Sequence, residues 1–383
     1  MSLRQFLVLG GVPAVLSAAC SMDYTKNGLV WGDAIRMNQI QVVGTHNSYH
    51  VEAEEDEKPL MEKLSPDVRD LWYGHDKLDV QLKEQHVRNL ELDILADPKG
   101  GNYAKPLIRK LSNLPYNTGP EYNTTATKVM HIPDLDIHTV CTTFTSCLKI
   151  IKSFLDANPH VVPIPIMTEF KQSEALGASL GGAKPIPWAD AKLLDGLDQE
   201  IRSVFSPKQL ITPDDIRRPG MTLEESVLKY GWPNLDSARG RIFFLMDNGP
   251  DDDVNKKYLE GKTNLEGRVL FTNSAPGKAD CAFQKLNDPV TDAYVANIQK
   301  QVKANYWVRT MADSALATVR NCTTFQRDGA FKSGAQIVSS DFPVKGMSER
   351  YGGCKYVVEI GDGKVARCNP VNGRAGCVDK ELE

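Results

Sequence analysis

Eight short apolar runs constrain the fold of this chain most strongly: IQVVGTHNS (40–48), VRNLELDI (87–94), KVMHI (128–132), VPIPIMTEF (162–170), RIFFLMD (241–247), RVLFTN (268–273), YWVRTM (306–311) and AQIVSSDF (335–342). Their Val, Ile and Phe content and near-continuous hydrophobicity suit strands buried on both faces, as parallel sheets require. Helical stripes lie between them: Phe144, Leu148, Ile151 and Leu155 in one, and Leu193, Leu194, Leu197, Ile201 and Val204 in another. Asn158-Pro159 ends the first helix. Eight strands alternating with helices predict an α/β chain folded as a (β/α)8 barrel. An open doubly wound sheet would carry a Gly-rich phosphate turn after its first strand, and this chain has none.

Several runs end in polar residues. His46-Asn47, Glu91-x-Asp93, His131 and Glu169 close the first four. The carboxyl ends of barrel strands share one face, where such folds carry their chemistry. Residues i and i+2 of a strand point the same way, so Glu91 and Asp93 converge, and two like charges so placed need a cation or a proton between them. Asn47, Glu91, Asp93 and Glu169 form an oxygen-only ligand set suited to Ca2+, with Mg2+ ranked second because it keeps more waters. His46 and His131 remain for proton work. His131 is preferred to His138, which follows the strand-like run; His50, His75, His86 and His160 carry no motif.

The 383 residues are 41% hydrophobic and 25% charged, values of a globular protein with a large core. A net charge of -4 argues against nucleic acid and against strong attachment to anionic lipid. Arg4 followed by FLVLGGVPAVL and Ser17-Ala18-Ala19 reads as a secretory leader over residues 1–19, and so as a secreted protein. Eight cysteines agree with an oxidising compartment, as do the sequons at Asn123 and Asn321. Cys141 and Cys147 are spaced to close a small loop, and Cys354, Cys368 and Cys377 cluster in the tail. Cys20 directly follows the leader, and Cys281 and Cys322 are the remaining pair by position, with connectivity open. Residues 20–343 are expected to form the barrel and 344–383 a Cys- and Gly-rich extension packed on it. The acidic run at 52–57 reads as a solvated helix face, and the Gly/Ala-rich stretch from Gln172 to Trp188 as a loop over the active face, with Trp188 packed at a helix start.

GTHNS, LELD, the run ending in His131, the run ending TEFK, WVRTMAD and SGAQIVSSDFP together resemble the calcium-dependent phosphatidylinositol-specific phospholipase C family, in its secreted single-domain form. The resemblance implies a phosphodiesterase barrel in which the inositol 2-hydroxyl attacks the neighbouring phosphate. It implies calcium on Asn47, Glu91, Asp93 and Glu169, a carboxylate (Glu91 or Glu169) as base, His46 as charge stabiliser and His131 as acid. Lys171, Arg309 and Asp341 are then expected to contact inositol or phosphate. Asp247 stands where intracellular relatives carry a lysine, which disfavours polyphosphorylated head groups. Expected partners are a phospholipid or phosphodiester and, transiently, a membrane surface. Two other readings stay open: a glycerophosphodiester or sphingomyelin phosphodiesterase on the same barrel, and a non-catalytic barrel that binds inositol lipid or glycan.

Overall fold

The computed structural model describes residues 24–116 and 119–383, so the expected leader lies outside the described residues. Eight parallel strands form a ring: β1 (Ile40–Thr45), β2 (Leu90–Leu95), β3 (Ile164–Lys171), β4 (Ile242–Met246), β5 (Leu270–Phe271), β6 (Phe283–Lys285), β7 (Trp307–Met311) and β8 (Ile337–Ser340). One arc of continuous ladders runs β2-β3-β4-β5, and the other runs β6-β7-β8-β1. The arcs meet at single parallel bridges, Gly44 with Asn89 and Asn273 with Phe283. Every residue of β1, β2, β4, β5 and β8 is buried, as expected where helices cover the outside and side chains fill the inside.

Two expectations are corrected. KVMHI is not a barrel strand: only Lys128–Val129 is extended, and it pairs antiparallel with the end of β2. His131 therefore comes from the connection between β2 and β3. The missing strand is β6, three residues long and carrying Gln284 and Lys285, too short and too polar to register as an apolar run. Glu169 consequently lies on the third strand, beside β2, where the parallel register sets it opposite Asp93.

Gly44, near the end of β1, does not take a positive φ; what requires glycine there is a close approach. A Cβ there would stand 2.2 Å from Asn89 Oδ1. Asn89 is itself fixed, its side-chain amide donating to Pro165 O at 2.9 Å. Glycine lets the seam between β1 and β2 close. We expect Gly44→Ala to destabilise the fold by about 1–3 kcal/mol, the usual cost of overpacking; an unchanged denaturant midpoint would contradict this account.

The helix Phe144–Ala157 starts at a Thr143–Ser146 capping box and buries the expected stripe of Phe144, Leu148, Ile151 and Leu155. The helix Ala191–Val204 buries Leu194, Leu197, Ile201 and Val204. Inside the ring, Trp232, Phe243, Phe271 and Trp307 pack ring to ring at 4.9–6.2 Å. Arg309 is two residues beyond Trp307 on β7 and so faces the same interior, one layer nearer the mouth.

The last part of the tail, from residue 366 on, closes the other end. Residues Ala366–Cys368 pair antiparallel with Ile40–Val42, on β1 below its bridge to β2. Glu383 accepts from Arg88 Nε at 2.9 Å, and Leu382 is buried in the main core. Disulfides join Cys141–Cys147, Cys322–Cys354 and Cys368–Cys377. Cys281 is free and buried, so it does not pair with Cys322. The run 52–57 is an irregular connection and not a helix face; Glu57 within it is fully buried, held by Arg109 and His138.

Candidate active site

β1 ends at Thr45, and the next two residues turn into the barrel mouth. Asn47 takes a left-handed φ of 45°, a conformation that asparagine tolerates better than most residues. The turn is stitched to both flanking strands. His46 N–H donates to Ser340 O at 3.0 Å, Ser48 N–H to Glu91 O at 3.0 Å, and Glu91 N–H to Ser48 Oγ at 2.7 Å. His46, Asn47 and Glu91 are thus fixed relative to one another by backbone bonds, which is the rigidity a site needs.

Glu91, Asp93 and Glu169 offer one oxygen each, all within 4.8 Å of one another. Glu91 Oε2 accepts from Arg309 Nη2 at 2.6 Å. Asp93 is fully buried, and neither of its oxygens accepts a well-aligned hydrogen bond. Lys171 Nζ stands 3.3 Å from Asp93 Oδ2 and 3.1 Å from Glu169 Oε1. Burial, then Glu169 and Glu91, raise the Asp93 pKa well above the usual carboxylate range, with Lys171 opposing. Asn47 reaches this group through Tyr49, whose hydroxyl donates to Asn47 Oδ1 at 3.3 Å and whose ionisation is suppressed by burial and by the Asp93 charge. Three clustered carboxylates, with one ammonium at 3.1–3.3 Å to offset two of them, are costly unless a further cation completes the group. The residues present therefore fit a calcium ion.

His46 faces this cluster. Its Nδ1 lies 2.8 Å from Asp341 Oδ1, and its Nε2 lies 3.7 Å from Glu91 Oε1. Burial disfavours the charged imidazole, but Asp341 and Glu91 outweigh it and push its pKa up to about 10. Asp313 stands behind, accepting the Asp341 N–H at 3.0 Å.

His131 lies in a second group. Its Nδ1 is 2.8 Å from Asp136 Oδ2, and the same carboxylate is 2.8 Å from His50 Nε2. Burial works against the Asp136 charge, yet His50 and His131 hold its pKa below the usual carboxylate range. Burial lowers the His131 pKa despite Asp136. Tyr73 joins the two groups, its ring 4.7 Å from His50 and its hydroxyl 3.4 Å from His46 Nδ1. His138, the alternative to His131, has its Nε2 on Glu57 at 2.7 Å.

The other expected residues are engaged with one another. Arg309 is 1% exposed, bound to Glu91, Asn287 and Ser339. Asp341 is the partner of His46. Asp247 is ion-paired with Lys285 from β6, so its charge does not face the mouth alone. Tyr73, His50, Asp136, Lys285 and Asn287 were missed. Each sits in a loop or on the strand that the apolar pattern failed to reveal, and no local spacing marks it.

Trp188 is buried, its indole N–H donating to Lys171 O at 3.0 Å. It packs in the loop after β3, as its sequence context suggested. Among the described residues no helix is long and apolar enough to cross a membrane.

No curated protein matches the chain in sequence. Among solved structures, the calcium-dependent phosphoinositol-specific phospholipase C of the Gram-negative bacterium Pseudomonas sp., in its myoinositol complex, superposes with a TM-score of 0.52 at 16% identity, covering 87% of this chain and 95% of that one. The Ca2+-dependent phosphatidylinositol-specific phospholipase C of Streptomyces antibioticus gives 0.47 at 17%, covering 81% and 96%. The Pseudomonas likeness establishes a shared fold. Residues 35–370 match the family model for Ca2+-dependent phosphoinositide phospholipase C, a span that includes every site residue described above. The chain belongs to the calcium-dependent phosphoinositide phospholipase C family.

Proposed function

We propose that this protein is a secreted calcium-dependent phospholipase C that cleaves phosphatidylinositol, or a glycosylated form of it, to diacylglycerol and an inositol cyclic phosphate. The observation that carries the reading is Asp93: a buried carboxylate that accepts no well-aligned hydrogen bond, opposite Glu169 and beside Glu91, with the Lys171 ammonium at 3.3 Å and a cationic imidazole alongside. Asn47, Glu91, Asp93 and Glu169 are the residues that would hold the ion. Bound there, calcium neutralises the phosphate and lowers the pKa of the attacking hydroxyl.

The chain's own groups do the rest. Glu91, oriented by Arg309, takes the proton of the inositol 2-hydroxyl as its oxygen bonds to phosphorus. His46, kept cationic by Asp341 and Glu91, stabilises negative charge on the phosphoryl oxygens. His131, its Nδ1 held by Asp136, turns Nε2 to the departing glycerol oxygen and protonates it as the old P–O bond breaks. His50 shares Asp136 and stiffens that arrangement. The Lys285–Asp247 pair and Lys171 are the groups that would meet inositol hydroxyls and the phosphate. Lys285 offsets the Asp247 charge, which weakens the argument from repulsion against phosphorylated rings.

Three disulfides support an oxidising compartment, and hence export. The test is product analysis. Phosphatidylinositol with calcium is expected to yield a cyclic inositol phosphate, with turnover abolished by chelator. Release of free glycerophosphate from glycerophosphodiesters, with phosphatidylinositol untouched, would transfer the assignment to the alternative phosphodiesterases.

A further inference from the structure

A cavity of about 410 Å³ opens beside the candidate site and shares none of its residues. Arg69, Arg320 and Arg350 line it, with the rings of Trp72 and Tyr351 and the side chain of Leu316. Its walls leave the barrel at the mouth. Trp72 precedes Tyr73, the neighbour of His46, and Leu316 and Arg320 follow β7. Tyr351 packs edge-on against Phe342, next to Asp341, at 5.7 Å.

The cavity is built, not incidental. Leu316 N–H donates to Asp70 Oδ1 at 2.7 Å, and Tyr351 Oη–H donates to Trp72 O at 2.6 Å. The Cys322–Cys354 disulfide ties the segment carrying Arg320 to the one carrying Arg350 and Tyr351. In a chain of net charge -4, three guanidinium groups line this space and no carboxylate does. Arg69 pairs with Glu62 at 3.0 Å and Arg350 with Glu52, both outside the lining. Among the described residues Arg320 has no acidic partner. The Trp72 indole N–H is buried without a hydrogen-bond acceptor. The Arg69 guanidinium lies 5.4 Å over the same indole.

Forked, permanently charged donors select phosphate. An indole and a leucine beside them add an apolar wall, a pairing suited to the head-group layer of a membrane, where both kinds of surface are met at once. We propose that this cavity binds the phosphate-bearing head group of an anionic membrane lipid and so holds the barrel mouth against the bilayer. The site would dock a lipid that is not cleaved, whichever ester the catalytic groups cut.

The test uses the full chain in chelator with vesicles of phosphatidylcholine alone or containing phosphatidylglycerol, so that neither calcium nor turnover contributes. Sedimentation is expected to show binding that depends on phosphatidylglycerol. In the Arg69→Ala/Arg320→Ala variant it should fall roughly thirty-fold, about fivefold for each arginine at a charged surface. Both residues are exposed, and an unchanged thermal midpoint checks the fold. The Arg69→Lys/Arg320→Lys variant, which keeps the charge and loses the fork, should bind more weakly than wild type and more tightly than the alanine variant. Equal binding by wild type and the alanine variant, or equal binding to both vesicle types, overturns the proposal. So does saturation of these arginines by millimolar inorganic phosphate in a protein that ignores the vesicles, which would mark a soluble ligand.

Discussion

Replacing His46 or His131 by alanine is expected to lower turnover of phosphatidylinositol by about a hundredfold or more, the usual cost of losing a charge stabiliser or a proton donor. Both side chains reach solvent at the mouth, 30% and 15% exposed, so neither is a core residue whose loss would collapse the barrel. The two variants should differ in what they leave behind. Without His46, Glu91 keeps Arg309 but loses the imidazolium beside it, and Asp341 faces Tyr73 with no cation. Without His131, Asp136 keeps His50. His138→Ala is the control: its Nε2 is bound to Glu57, so turnover should hold while stability falls. Rates are to be measured with the thermal midpoint of each variant. Full activity in both His46→Ala and His131→Ala removes the mechanism. A wild-type protein that binds the head group without cleaving it, and binds as well after both substitutions, returns the barrel to the non-catalytic reading.

Asp93→Asn should move calcium affinity and stability in opposite directions. Outer-shell changes at metal sites cost 10–100-fold in affinity, so removing a direct ligand should cost about a hundredfold or more. Without calcium the same change relieves a buried charge. The carboxyl's pKa is raised in the fold, so in the window above the ordinary carboxylate pKa the native state binds more protons than the unfolded chain. Stability is then lost as pH rises through that window, and asparagine removes the loss. Its amide also gains Glu91 and Glu169 as acceptors. In chelator at neutral pH the variant should melt higher, by about 1 °C for each kcal/mol in a chain of this size. Titration calorimetry and thermal melts with and without calcium check both arms. A variant that melts lower in chelator while binding calcium normally would show Asp93 to be an ordinary structural acid.

The acidic site was largely legible in the chain. Glu91 and Asp93 alternate within an apolar run, and strand periodicity alone sends both to one side; GTHNS and TEFK end strands of the same kind. These are local relations, and local pattern carries them. His131 was chosen for a reason that failed: it does not end a barrel strand, and Asp136 five residues on holds it in a loop. The tertiary structure decided the remainder. The register of β2 on β3 placed Glu169 opposite Asp93, and β6, too short to see, brought Lys285 to Asp247. The fold of the tail chose Cys354 for Cys322 and left Cys281 free. Strand identity depends on neighbours in sequence, whereas charge compensation, disulfide partnership and ring closure depend on residues 30 to 300 positions apart, whose meeting only the closed barrel determines.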